Sequence, residues 1–129
     1  MAAWTSRAAG LEPFTVAVRA GLLGAELVHA DETGLRVAGR LHWLHVVSSV
    51  RFTALFCHRK RGKEAIDAAG VLPDFTGIVV HGALASYARY RSATHALCNA
   101  DLLRELIAVV DHHAAHPATT GGMPAGWAG

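Results

Sequence analysis

Asp31 is the residue whose type and setting most invite chemistry in this chain. It lies in His29-Ala30-Asp31-Glu32-Thr33-Gly34, where the apolar pair Leu27-Val28 leads into a polar, glycine-containing stretch. A carboxylate inside an otherwise apolar strand is costly to bury unless it is hydrogen-bonded or binds a cation. Magnesium takes one or two carboxylates together with water and substrate phosphate, so a strand-borne Asp in a cleft suits it. The plain alternative is a carboxylate satisfied by backbone N–H groups at a turn. Spacing alone leaves both readings open.

Arg59-Lys60-Arg61-Gly62-Lys63 is the densest positive run, and such a run suits contact with DNA phosphates. A solvated loop is the equally simple reading. The chain shows no helix-turn-helix or zinc-finger pattern, so base-specific recognition is not expected of it. Nine histidines are many for 129 residues, so their spacing matters. His112, His113 and His116 could grip a transition metal, but no Cys or carboxylate is spaced to complete a closed site, which favours surface histidines. His42 and His45 flank Trp43 and are expected to bond backbone or face solvent. Cys57 and Cys98 stand in no ligand spacing and read as reduced thiols of a cytosolic protein.

These side chains need a folded scaffold. The chain is 52% hydrophobic and 17% charged, too apolar to stay disordered, and its net charge of +2 neither requires nor excludes a nucleic-acid partner. It has no run near the ~20 apolar residues of a membrane span. Met1 to Arg7 lacks the pattern of a signal peptide. Apolar residues at spacings of three and four predict a helix over Leu11–Ala25, with Pro13 in its first turn. Strands follow, one within Glu26 to Val37 that carries Asp31, one from Leu41 to Ser48 after an Ala38-Gly39 turn, and one from Val50 to His58. Next come a short helix over Glu64–Ala69, stopped by Gly70, and a buried strand over Gly77–His81. The pattern ends with a helix-compatible stretch from Ala83 to Tyr90, a strand over Thr94–Leu97 and a helix from about Asp101 to His113. This order predicts an α/β fold, a mixed sheet with helices on both faces, as in the ribonuclease-H-like order.

Six segments carry a family resemblance. They are His29 to Val37, Leu41-His42-Trp43-Leu44-His45, Lys60-Arg61-Gly62, Gly70-Val71-Leu72-Pro73, His95 to Ala100, and Leu103-Arg104-Glu105-Leu106. In this order, from about Leu11 to about Val110, the chain resembles the central part of transposases of the bacterial insertion sequence 66 family. The resemblance implies a ribonuclease-H-like domain in which three acids hold divalent metal, Mg or Mn, and cut and rejoin DNA at transposon ends. Two metals would activate the attacking oxygen and stabilise the leaving one.

Carried over by residue, Asp31 is the first acid and the metal ligand. The second acid position falls in His81-Gly82-Ala83-Leu84-Ala85-Ser86-Tyr87, where His81 and Tyr87 keep their places but Gly82 replaces the acid. No residue matches the third acid, and Glu105 comes too early to be it. The resemblance therefore implies a truncated and inactive transposase domain over residues 11–113, between an N-terminal tail (1–10) and a disordered tail (114–129). Weak single-metal binding at Asp31 with Glu32 stays open, as does a role for His29 and His81 in orienting phosphate or water. Arg59, Lys60, Arg61 and Lys63 become the expected DNA contacts, and a bacterial cytoplasmic location is implied. The alternative is a non-catalytic module that binds DNA or associates with an intact transposase.

Overall fold

The computed structural model describes residues 8–116. Helix α1 (Glu12–Leu23) carries Pro13 in its first turn, where the N–H that proline lacks would go unused. It buries Val18 and Leu22, four residues apart on one face. Strand β1 (Leu27–Val37) turns back into β2 (Arg40–Ser48) through Ala38 at φ 50° and Gly39 at φ 77°. Two consecutive positive φ values match the right-handed twist of the flanking strands. Strand β3 (Thr53–His58), helix α2 (Lys63–Ala69), β4 (Ile78–His81) and β5 (Thr94–Leu97) complete the sheet unit. Gly70, at φ 74°, ends α2 in the left-handed conformation that glycine adopts without steric cost.

The sheet order is β3-β2-β1-β4-β5. β1–β2 and β2–β3 are antiparallel, while β1–β4 and β4–β5 are parallel. This is the mixed, ribonuclease-H-like order expected, with β1 at the centre. The pairings Val28↔Val79 and Ala30↔Val47 put these four side chains on one face, against α1, α2 and the 3-10 turn Leu72–Asp74. There they pack with Val18, Leu22, Ile66, Val71, Leu72 and Phe75 in one buried core. Burying a Leu or Phe of this kind stabilises the fold by about 1.5–3 kcal/mol. The other face carries Asp31, Val46 and Leu55 in one cross-strand row, and no helix of residues 8–98 packs on it.

Two segments depart from expectation. β3 starts at Thr53 rather than Val50, because Ser49 organises a turn first. Its N–H donates to the Phe52 carbonyl at 2.8 Å, and its Oγ accepts from the Arg51 and Phe52 N–H groups. The Ala83–Tyr90 stretch forms only a 3-10 turn, Tyr87–Arg89, and no α-helix. The tighter winding eclipses residues three apart, which sends Tyr87 and Tyr90 inward together.

Residues up to Cys98 form one compact unit and those from Asn99 a second. The second contains α3 (Asn99–Ala115), two residues longer at its C-terminus than expected, with Leu103, Leu106 and Val110 exposed. Residues 117–129, where a disordered tail was expected, lie outside the described residues, as do residues 1–7. No helix of the described residues is long and apolar enough to cross a membrane.

Candidate active site

Asp31 sits on the central strand, exposed, on the open face of the sheet. One of its carboxylate oxygens accepts the Glu32 backbone N–H at 2.8 Å, the local satisfaction named above as the plain alternative. β1 and β4 run parallel, with His29 opposite Val80. Two residues beyond that pairing come Asp31, still within β1, and Gly82, the first residue after β4. The first and second acid positions implied by the resemblance thus follow the same parallel pairing, one as Asp and one as Gly.

Glu32 does not join Asp31. Successive side chains of a strand point to opposite faces, so Glu32 turns to the covered side, where its side chain is only 4% exposed. There its Oε1 accepts from Arg61 Nε at 3.0 Å and Nη2 at 2.9 Å, and its Oε2 accepts from the Tyr87 hydroxyl at 2.6 Å. The two carboxylates, for which weak single-metal binding stays open in the sequence, thus point to opposite faces of the sheet. Glu32 is a buried structural anion with both oxygens engaged.

Three of the four cations of the basic run have carboxylate partners within the fold. Arg61 is held by Glu32 and lies 4.8 Å over the Trp43 ring. Lys60 reaches Glu64 at 2.5 Å, and Lys63 reaches Asp67, both one helical turn away. These last two pairs are exposed and contribute little to stability, so Lys60 and Lys63 can exchange partners for phosphate. Arg61 is anchored more firmly.

Tyr87 and Tyr90, three residues apart, mirror one another. Tyr87 binds Glu32, and Tyr90 donates to Asp67 at 2.7 Å. Burial, then the hydrogen bond and charge of Glu32 and the charge of Asp31, push the Tyr87 phenol far above its usual range, against a smaller pull from Arg61. Burial and Asp67 push Tyr90 up in the same way. Hydrogen bonds from Lys63 and Tyr90 hold the Asp67 carboxyl below its usual value.

The histidines separate by contact. His42 and His45 bond the backbone carbonyls of Arg40 and Lys60, as expected. His81 is buried, stacked on Tyr87 at 4.7 Å and bonded to His95, which makes it structural here. His29 is exposed on the face of Asp31. His112 and His116 stack 4.6 Å apart on α3. Sequence reasoning missed the roles of Glu32, Tyr90 and His95. The Lys60/Glu64 and Lys63/Asp67 spacings were legible, whereas contacts 55 residues apart, such as Tyr87 with Glu32, left no local signal.

A divalent-metal centre can be tested against these donors. Asp31 offers carboxylate oxygen, Gly82 none beyond its backbone, and Glu32 is turned away and neutralised. Among the described residues no group of three or more His, Cys, Asp or Glu side chains is placed to hold a metal ion. The donor set does not fit a two-metal site.

A family model described as Transposase IS66 family matches residues 1–123. The chain belongs to the IS66 transposase family. The match extends beyond the Leu11–Val110 span of the motifs at both ends. No curated protein matches this family member. Among solved structures, it is similar to a chain of the simian T-cell lymphotropic virus intasome in complex with the PP2A regulatory subunit B56 gamma. That likeness has 12% identity and a TM-score of 0.48, covering 76% of this chain and 44% of that one. It is also similar to the HTLV-2 integrase catalytic core domain in complex with magnesium, in its dimeric form. There the identity is 12% and the TM-score 0.48, covering 74% of this chain and 76% of that one.

Proposed function

We propose that this IS66-family transposase-type domain is part of a DNA cleavage and strand-transfer domain, and that the chain as it stands performs neither reaction. The observation that supports this reading is the parallel β1–β4 pairing, Leu27↔Ile78 to His29↔Val80, which Asp31 and Gly82 each follow by two residues. Cutting and rejoining DNA by the family route needs several carboxylates to neutralise two divalent cations, Mg or Mn. Asp31 alone leaves such cations underneutralised, a deficit felt as orders of magnitude in rate. Residues 1–129 contain no match to the third acid, so Gly82→Asp supplies one missing donor and not the other. Incubation of supercoiled plasmid with the purified protein and Mg²⁺ or Mn²⁺ is expected to give no nicking, for wild type and for Gly82→Asp. Nicking by wild type that Asp31→Ala abolishes overturns the proposal.

A non-catalytic role in binding DNA is favoured by one further observation. Arg61 and Glu32 fix the loop while Arg59, Lys60 and Lys63 stay exposed on it. Each phosphate contact adds about 0.9 to the slope of log affinity against log salt. In fluorescence anisotropy with a duplex oligonucleotide, Lys60→Ala is expected to lower that slope by about one. Binding that ignores salt overturns this reading. Association with an intact transposase of the same family is the remaining partner proposal, and co-purification tests it.

A further inference from the structure

The segment from Gly82 to Ala93, which joins β4 to β5, is closed by three hydrogen bonds in series. His81 Nδ1 lies 2.5 Å from the Gly82 carbonyl, His81 Nε2 lies 2.9 Å from His95 Nδ1, and His95 Nε2 lies 2.8 Å from the Tyr90 carbonyl. A carbonyl oxygen only accepts. Both outer nitrogens must therefore carry hydrogen, and the central contact needs one more. Two neutral imidazoles bring only two hydrogens between them. With two, either a ring lone pair faces a carbonyl oxygen or two ring lone pairs face each other.

We propose that His81 and His95 share a third proton, so that the pair carries a single positive charge and acts as a pH-sensitive clasp on the Gly82–Ala93 segment. The inference stands apart from the functional reading above, since it rests only on which atoms can donate. His81 is buried, where a lone charge is costly, but His95 is exposed on edge strand β5 and opens the shared proton to solvent. The surroundings supply balanced charge. From the 3-10 turn, Tyr87 stacks on His81 and donates to Glu32 of β1, which Arg61 of the basic loop answers. From the same turn, Tyr90 donates to Asp67 of α2, which Lys63 answers, and Arg89 acts on Tyr90. Asp31 of β1 acts on Tyr87. Just after β5, Cys98 donates its N–H to the His81 carbonyl at 2.8 Å.

The His81–His95 contact needs that third proton, so whatever stability rests on the contact is lost when rising pH withdraws it. His95→Gln removes the requirement, because one amide nitrogen carries two hydrogens and can serve both His81 Nε2 and the Tyr90 carbonyl while His81 stays neutral. Two measurements decide. Nitrogen-15 spectra of the imidazole rings at about pH 6 should show hydrogen on His81 Nδ1 and on His95 Nε2, with the pair titrating as one coupled unit. The urea midpoint of wild type should fall from about pH 5 to about pH 8 more steeply than that of His95→Gln. Two independently titrating rings, or equal pH slopes for the two proteins, overturn the proposal. If His95→Gln does not fold, the wild-type spectra decide alone.

Discussion

Glu32 gathers three segments of chain onto one carboxylate: its own strand, the basic loop through Arg61, and the 3-10 turn through Tyr87. Truncating one partner of a buried ion pair costs about 3–5 kcal/mol. Arg61 is 49% exposed, which moves the figure toward the small values of surface pairs. Glu32→Gln is therefore expected to lose about 2 kcal/mol in urea unfolding, with Asp31→Asn, on the open face, nearly neutral. Equal losses for the two variants contradict the opposite facing of these neighbours. The tyrosines give a second expectation. Both tyrosines of the chain are buried against carboxylates, and both phenols are raised. In the unfolded chain they ionise near pH 10, while the folded chain holds them neutral, so the unfolded state binds fewer protons above that pH. Stability is intact below about pH 10 and falls as pH rises beyond it. Phenolate absorbance should appear together with the loss of circular dichroism, and not before it. Asp31 and Glu32 also mark the limit of reading residues from sequence. Both are acidic and adjacent, and only strand alternation plus a partner 55 residues away separates a free carboxylate from a structural one.

At the scale of elements, local chemistry announced itself well wherever a strong signal stood. The Ala38-Gly39 turn, the Gly70 stop and the Thr94–Leu97 strand all fall where propensity puts them. The misplacements have tertiary causes. A serine-capped turn took the first residues assigned to β3, and inward tyrosines wound the Ala83–Tyr90 stretch into a 3-10 turn. Gly77 shows how tightly the elements meet before β4. A Cβ there would stand 2.6 Å from the Glu26 carbonyl oxygen and 2.7 Å from Phe75 Cζ. Backbone oxygen cannot yield as a flexible side chain does, and the Ile78 N–H bonds that same Glu26 carbonyl at 2.9 Å. Gly77→Ala should cost about 2–3 kcal/mol and loosen the β1–β4 pairing. Gly24→Ala meets only ordinary contacts and serves as the control. Thermal melting of the two variants distinguishes them, and a Gly77→Ala melt matching that of Gly24→Ala would remove the close approach as a constraint.

For the whole molecule, the sheet order and the central position of β1 were legible because the hydrophobic runs, the tight turns and the family motifs agree. The one-sided burial of the sheet within residues 8–98 was not, since β2 is apolar on both faces and periodicity cannot say which face a helix covers. The unequal strand lengths carry a dynamic consequence. β1 has 11 residues but pairs with β4 over only Leu27–His29, and β3 follows β2 no further than Trp43. From Leu35 to Val37, β1 is paired with β2 alone, through Leu35↔His42, Arg36↔Leu41 and Val37↔Arg40. A two-stranded ribbon is marginal in water, whereas the rooted end is wedged in the core. One continuous strand should thus run from the slowest-exchanging amides of the protein, at Val28 and Ala30, to some of the fastest, at Leu35 and Val37. Native-state hydrogen exchange would read that gradient directly, and uniform protection along β1 would contradict it. The hairpin then behaves as a cantilever, stiff at its base and yielding at its tip, so that whatever lands on Arg36 or Arg40 meets a surface that gives way while Asp31 stays clamped at the fulcrum.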